Sequence, residues 1–478
     1  MARVFEVDIT PEPLQRFEPI VGSARLRETE RIAAEARDRH TGRSIWNINS
    51  TAVGGGVAEM LPSLLGYARG LGLDARWLVI EGTAEFFEIT KRLHHALHGS
   101  AGDGSPLDET ERAVYELVLR ENAREVLQLV RPGDVVILHD PQTAGLAPHL
   151  QGIGAHLIWR CHIGQDEVNE EVERGWAFLA PYLAQVGVHI FSRSAYVPAA
   201  SSHALVSIVA PSIDPFSAKN RELDAATTAS ILGTANLIEG DTGAIDVPHA
   251  PVGWRVERPA DVIREGAPPP ADTPLIVQVS RWDPLKDPVG VMQGYASLVN
   301  GDAPGGAHLV LAGPEVTAVT DDPESATVLE SVVESWRALP EGARRRIHLA
   351  MLPTADLVEN ALIVNALQQH AAVVVQKSLH EGFGLTVTEA MWKARPMVAS
   401  AVGGIQDQID HGVHGLLIED ASDIDAFASA LGRLIEEPAL ASTLGDAARE
   451  RVREDYLAIR HLTQYATILD DLVTRAAA

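Results

Sequence analysis

The chain is expected to fold as two doubly wound α/β domains facing each other across a cleft, and three observations point there. At 478 residues it exceeds what one hydrophobic core usually organises. From Ser44 onward, short β-branched runs alternate with helical stretches, the pattern of parallel βαβ units. The alternation occurs twice, and a long stretch rich in Pro, Gly and Asp separates the two series.

In the first series the strand candidates are Ser44–Ile48, Ala75–Ile80, Asp134–His139, His156–Arg160, Val188–Ser192 and Leu205–Val209, with helical patterns at Val57–Arg69, Glu85–Leu97 and Glu109–Leu129. The second series reads Leu275–Ser280, His308–Ala312, Ile347–Ala350, Ala372–Gln376, Met397–Ala401 and Gly415–Ile418. Between them, PSIDPFS, LGTANLIEGDTGAID and APPPAD cannot be helix interior or central strand. The expected division is therefore 1–212, a hinge and insertion over 213–272, 273–454, and a C-terminal helix over 455–478. Whether that helix packs on the first domain is not legible. Ligands of open α/β sheets bind at the carboxyl ends of strands, which is why a cleft between facing sheets is expected.

Composition narrows the chemistry. A formal net charge of −26 disfavours nucleic acid and anionic membrane surfaces as partners, since both would be repelled. An anionic substrate would need local cations, and lysines are scarce: Lys91, Lys219, Lys286, Lys377 and Lys393 are all there are. The single cysteine, Cys161, rules out an intramolecular disulfide and fits a reducing cytoplasm. The opening residues lack an apolar leader, and no uncharged apolar run is long enough to span a bilayer. A cytoplasmic enzyme is expected.

The motifs that carry chemistry sit where strands end. The first strand runs into Thr51-Ala-Val-Gly54-Gly55-Gly56 and a helix; glycines let backbone approach a ligand, and a helix N-terminus attracts an anion. The spacing departs from the dinucleotide GxGxxG pattern, which disfavours an oxidoreductase. In the second series, Leu275–Ser280 ends in Arg281-Trp-Asp-Pro-Leu-Lys286, a fork and a point charge suited to a diphosphate. The plain alternative is a surface Asp283–Lys286 pair. After AAVVVQ comes Glu381-Gly-Phe383-Gly384-Leu385-Thr386-Val-Thr-Glu389. The glycines permit a tight turn, Leu385 and Thr386 supply N–H groups at a helix start, Glu389 can accept both hydroxyls of a ribose, and Glu381 can hold a second ring. The alternative is a capped helix carrying solvated acids. His162, in WRCHIG, could reach a sugar hydroxyl or be a satisfied core histidine. His94 and His98 are four apart on one helix but lack a carboxylate to complete a metal site. Asp423 and Asp425 look like a helix cap, and no serine or cysteine nucleophile signature is present.

Taken together, SRWDPLK and EGFGLTVTEAMW resemble the retaining GT-B glycosyltransferases of the sucrose-synthase and glycogen-synthase type, whose fold is two Rossmann-like domains. NINSTAVGGGVAEML, ARWLVIEG, EFFEITKRLHHALHG, ILHDPQTAG, WRCHIG, PSIDPFSAKNREL and AVGGIQDQI are similar to the trehalose glycosyltransferring synthases, from about Thr41 to the C-terminal helix. The resemblance implies reversible formation of α,α-trehalose from nucleoside-diphosphate glucose and free glucose, with retention. It places the diphosphate on Arg281 and Lys286, the ribose on Glu389 and the donor glucose on Glu381, with His162 near the reacting carbon. Gly54, Gly55 and Gly56, with Phe383, Gly384, Leu385 and Thr386, line the donor. Asp140, Gln142 and Arg160 are the acceptor candidates on the N-terminal domain. No metal, resident cofactor or enzymic nucleophile is implied, and a homodimer is compatible with the family. The stretch 221–272 is longer than in compact relatives, and Gln406 stands where some carry Lys.

Three rivals remain open: trehalose phosphorolysis on the same scaffold, transfer to another sugar acceptor such as fructose or a sugar phosphate, and a non-catalytic nucleotide-sugar sensor. A dehydrogenase is an outsider that would bind nicotinamide at Gly54–Gly56.

Overall fold

The structure is a computed structural model that describes residues 4–299, 304–316 and 324–477. The chain forms two compact units, Met1–Asp214 together with Tyr456–Ala478, and Pro215–Asp455.

The first unit is built on a seven-stranded sheet: β1 (Phe5–Val7), β2 (Ile45–Asn49), β3 (Ala75–Val79), β4 (Val135–His139), β5 (His156–Cys161), β6 (Val188–Phe191) and β7 (Leu205–Ile208), in the order β1-β3-β2-β4-β5-β6-β7. All neighbours are parallel except β1, which pairs antiparallel with β3 at the edge. The sequence pattern anticipates β2 to β7 within a residue or two. It misses β1, three residues too short to show a period.

Strands β2, β4 and β5 are buried on both faces because both faces are covered. Trp46, Leu138 and Trp159 pack with Phe86, Tyr115 and Phe178 on one side. Ile45, Ile137, Ile158 and Ile190 pack on the other with Tyr465, Ile468, Leu469 and Leu472. Those last four come from the helix Ala458–Ala477, so the C-terminal segment, expected to be helical, completes the core of the first unit. The bridge Ile213↔Leu457 ties its entry point to the end of the first chain segment.

The second unit repeats the plan. After a two-stranded hairpin of β8 (Ile245–Asp246) and β9 (Arg255–Val256) come β10 (Asp261–Ile263), β11 (Leu275–Val279), β12 (His308–Pro314), β13 (Ile347–Leu352), β14 (Val373–Gln376), β15 (Met397–Ser400) and β16 (Leu416–Ile418). Their order is β10-β13-β12-β11-β14-β15-β16, with β10 alone antiparallel. The stretch expected as hinge and insertion is therefore folded into this unit. Its helix Ala225–Thr234 is capped by Asp224, whose Oδ1 accepts from Thr227 N at 2.8 Å. The segment before it is stitched down by Asn365, whose Nδ2 donates to the carbonyls of Ala218 and Arg221 at 2.9 and 2.8 Å. Asp423 caps the helix Ile424–Glu436 through Ala426 N at 2.8 Å.

The strand orders decide where ligands can bind. In the first sheet the chain goes from β2 out to β3 and returns to β4 on the other side of β2. In the second it goes from β11 out to β12 and β13 and returns to β14. Each reversal leaves a crevice at the carboxyl ends of the two central strands. The loops after β2 and β4, and after β11 and β14, carry most of the residues singled out above.

Candidate active site

In the second unit the loops after β11 and β14 are locked together. Asp283 Oδ1 accepts from Leu285 N at 2.8 Å and so forms the tight turn Pro284–Lys286. Leu285 O accepts from Leu379 N at 2.8 Å, and Gln278 Nε2 donates to Lys286 O at 2.9 Å. This delivers Lys286 Nζ to Glu381 Oε2 at 2.7 Å, a contact whose two side chains are only 15% and 13% exposed. Ser378 Oγ donates to the same carboxylate oxygen at 3.3 Å. Asp283 pairs not with Lys286 but with Arg281, at 3.2 Å, and Arg281 is 64% exposed. Lys286 is thus seated against Glu381, while Arg281 lies mostly exposed in the same loop, paired with Asp283.

The turn after β14 needs its glycine. Gly384 has φ 85°, the left-handed region where a side chain is strained, and a Cβ there would come within 3.2 Å of Ile405 Cγ1 and 3.3 Å of Glu381 Cγ. Gly384 begins the helix Leu385–Trp392, and no side chain caps it, so the N–H groups of Leu385 and Thr386 have no intrahelical acceptor. Phe383 is buried against the neighbouring loop, its carbonyl accepting from Gln408 Nε2 at 2.6 Å. Glu389, one turn into this helix, is buried, and Lys219 Nζ lies 3.7 Å from its Oε1. Lys393, a further turn along, donates to Gln368 Oε1 at 2.9 Å, Glu389 O at 3.1 Å and Asn220 Oδ1 at 3.3 Å. Burial pulls the Lys393 ammonium down to about 7, against the opposing pull of Glu389.

Four of the five lysines therefore gather in this region. Lys377, fully buried between Asp287 and the carbonyl of Ala421, is the fourth. Lys219 and Lys393 carried no role in the sequence reading. Their signal was rarity, since a chain with five lysines places few by accident, and Lys393 stands four residues after Glu389, on the same helical face.

In the first unit, Gly54 and Gly55 both have φ 79° and open space where a Cβ would stand. Gly55 starts the helix Gly56–Gly70 without a side-chain cap. Asn49 Nδ2 donates to Thr51 O at 2.7 Å and holds the loop's entry. After β4, Asp140 also adopts a positive φ, 61°, and its carboxylate meets His162 twice. It accepts from the His162 backbone N–H at 2.7 Å and from ring Nδ1 at 3.1 to 3.2 Å. Burial pushes the Asp140 carboxyl up, but the hydrogen bonds from the His162 ring and backbone hold it below its ordinary range. Gln142 lies half-buried on the short helix Asp140–Ala144.

Two expected contacts are corrected here. Arg160 does not face an acceptor sugar: it is fully buried, because it shares with Ile158, two residues away, the face of β5 that the helix Ala458–Ala477 covers. Its guanidinium donates to Val209 O at 2.5 Å, Ser192 Oγ at 3.4 Å and His162 Nε2 at 3.1 Å. His162 therefore has both ring nitrogens engaged, one by Arg160 and one by Asp140, and offers neither to a sugar hydroxyl in this arrangement. His139 stacks on it, with ring centroids 5.5 Å apart and planes 7° from parallel. Cys161 is buried, its thiol pushed up by burial, and His94 and His98 stand ring to ring at 4.7 Å on their helix. Among the described residues, no group of three or more His, Cys, Asp or Glu side chains is suited to a metal.

Comparison with known proteins agrees with this architecture. A family model described as "Trehalose synthase, N-terminal domain" matches residues 47–198, and one described as "Glycosyl transferases group 1" matches residues 358–451. The chain is 34% identical over 472 residues to the trehalose synthase of Pyrococcus horikoshii, covering 99% of each. It is 25% identical to a trehalose phosphorylase of Pleurotus pulmonarius, across 93% of this chain but 59% of that protein. Among solved structures, an α,α-trehalose 6-phosphate synthase from Burkholderia multivorans superposes with a TM-score of 0.66 at 17% identity, over 91% of this chain and 100% of that one. The fold is thus GT-B, and the chain, a glycosyltransferase, belongs to the trehalose synthase family.

Proposed function

We propose that this enzyme transfers glucose from a nucleoside-diphosphate glucose to free glucose, reversibly and with retained anomeric configuration, giving α,α-trehalose. The observation that carries the reading is the Lys286–Glu381 contact at 2.7 Å, one helix start away from the buried Glu389. A cation and a carboxylate side by side suit the junction of a sugar and a diphosphate, where hydroxyls and phosphate oxygens are neighbours. A second, buried carboxylate beyond the uncapped helix start suits a ribose. Lys286 and Arg281 then stabilise the charge that grows on the departing diphosphate. Glu381 holds the donor glucose, and Asp140, with Gln142 beside it, orients the acceptor. Positioning and electrostatics supply the rate, with no need of an enzymic nucleophile or a bound metal.

Phosphorolysis of trehalose is the nearest rival. A buried Glu389 disfavours it, because inorganic phosphate would leave that carboxylate without a hydroxyl to accept. No helix among the described residues is long and apolar enough to cross a membrane, which fits small soluble sugars as substrates. The test is to incubate the protein with glucose and ADP-, UDP- or GDP-glucose in turn, with chelator present, and to identify the disaccharide. Trehalose with release of nucleoside diphosphate is expected. Glucose phosphate formed from trehalose and inorganic phosphate, without turnover of any nucleotide sugar, would overturn the proposal.

A further inference from the structure

The two corrected residues point to a device in the first unit. Arg160 is a donor only, with no lone pair to offer, and its Nε–H points at His162 Nε2 at 3.1 Å. That nitrogen must therefore be the acceptor, which puts the imidazole proton on Nδ1, facing the Asp140 carboxylate at 3.1 to 3.2 Å. The three side chains form one line: a buried cation, a neutral imidazole and an anion, each hydrogen-bonded to the next. Arg160 is pinned at its far end by Val209 O and Ser192 Oγ, so the line cannot slide.

We propose that Arg160 is a positioning residue that fixes His162 as the neutral Nδ1–H tautomer and thereby leaves the Asp140 carboxylate oriented toward the acceptor sugar with its negative charge uncompensated by an imidazolium. The proposal rests on the reading of Asp140 as an acceptor ligand. A histidine beside a carboxylate would ordinarily gain a proton near neutral pH and neutralise its neighbour. A guanidinium on its other nitrogen forbids that proton, both by occupying the lone pair and by like-charge repulsion.

The surrounding groups work in the same direction. Burial first, and Arg160 next among the depressing influences, hold the His162 ring below its ordinary range, against Asp140. From the end of β4, His139 stacks over the ring and is itself held neutral by burial. From the helix Ala458–Ala477, His461, Arg460 and Tyr465 face the group. His461 is kept neutral by burial and by Arg460 and Arg160, and Tyr465 is kept protonated by burial. Among the described residues facing this group, only Asp140 and the arginines carry charge near neutral pH.

The test has two arms. In the first, 15N NMR of histidine-labelled wild-type protein, with the His162 signal assigned through His162→Gln, reads the tautomer directly. A neutral Nδ1–H ring from about pH 5 to about pH 8 is expected; an imidazolium or an Nε2–H ring in that range overturns the proposal. In the second, kcat/KM for glucose is measured against pH for wild type, Arg160→Met and Arg160→Lys. Arg160→Met should lose roughly 10- to 100-fold, by analogy with removing the partner that orients a metal-binding histidine. It should also gain an ionisation between about pH 5 and about pH 8 that disappears in Arg160→Met/His162→Gln, while Arg160→Lys recovers part of the loss and a flatter profile. An Arg160→Met profile that superimposes on wild type overturns the proposal. If Arg160→Met does not fold, the NMR arm decides. If no disaccharide forms from any nucleotide sugar, the functional reading fails, while the tautomer is still read by NMR.

Discussion

Replacing Lys286 by Ala removes an ammonium group that sits 2.7 Å from Glu381 in a contact only 15% and 13% exposed. Two losses follow. A unit charge about 4 Å from a phosphate oxygen is worth roughly 4 kcal/mol at an effective dielectric of about 20, before desolvation. Glu381 also loses the cation at 2.7 Å, which leaves its negative charge less compensated where a diphosphate would approach. Truncating one partner of such a charged contact costs about 2–5 kcal/mol, which corresponds to about 30-fold to several thousand-fold in kcat/KM. The assay is trehalose formation at subsaturating nucleotide-glucose, with circular dichroism to confirm the fold. Lys286→Arg should recover much of the rate because it keeps the charge. Glu381→Gln in the Lys286→Ala background should cost less than it does alone, since the two side chains are coupled. A loss under about threefold in a folded Lys286→Ala protein would refute the assignment of Lys286 to the diphosphate.

Other consequences can be checked alongside. Gly384→Ala should cost about 1–2 kcal/mol from its left-handed backbone and also raise the donor KM, whereas Gly412→Ala, with φ 76° and open space around it, should cost similar stability without touching the donor; equal donor KM values in the two melted-and-assayed variants would contradict this. Lys393 titrates at about 7 when folded, below its ordinary 10.5, chiefly because it is buried. Between those values the unfolded chain holds a proton the folded chain has shed, so stability should rise with pH by up to about 1.4 kcal/mol per unit relative to Lys393→Met; a pH-independent difference in urea midpoints would argue against it. Trehalose formation should be unchanged by a chelating agent, and recovery of lost activity on adding back a divalent ion would disprove the metal-free reading.

The strands that build the two central crevices were legible because buried parallel strands are nearly continuous runs of Val, Ile and Leu, as in VVIL of β4 and VVV of β14. The edge strands β1 and β10 were not, because three residues carry no period and their pairing is decided by a distant neighbour. Candidate site residues stood out in the sequence where an unusual local string appeared, as in EGFG. Their partners did not: that Lys286 meets Glu381 depends on how two loops from different strands are stitched, and that Asp283 meets Arg281 rather than Lys286 depends on the turn within one of them. Arg160 is the instructive case. Its shared parity with Ile158 already placed it on the covered face, but an arginine two residues before a histidine at a strand end reads as chemistry and draws attention away from that parity.

The helix Ala458–Ala477 supplies Tyr465, Ile468, Leu469 and Leu472 to the core of the first sheet, yet it lies at the opposite end of the chain. During synthesis, the unit begun first must wait for this helix to emerge before its apolar face is closed, whereas Pro215–Asp455 precedes the helix, is continuous and can fold beforehand. Nascent chains halted before this helix should thus display a sticky, incomplete N-terminal half beside a finished C-terminal one, and recruitment of chaperones is expected to peak in that interval.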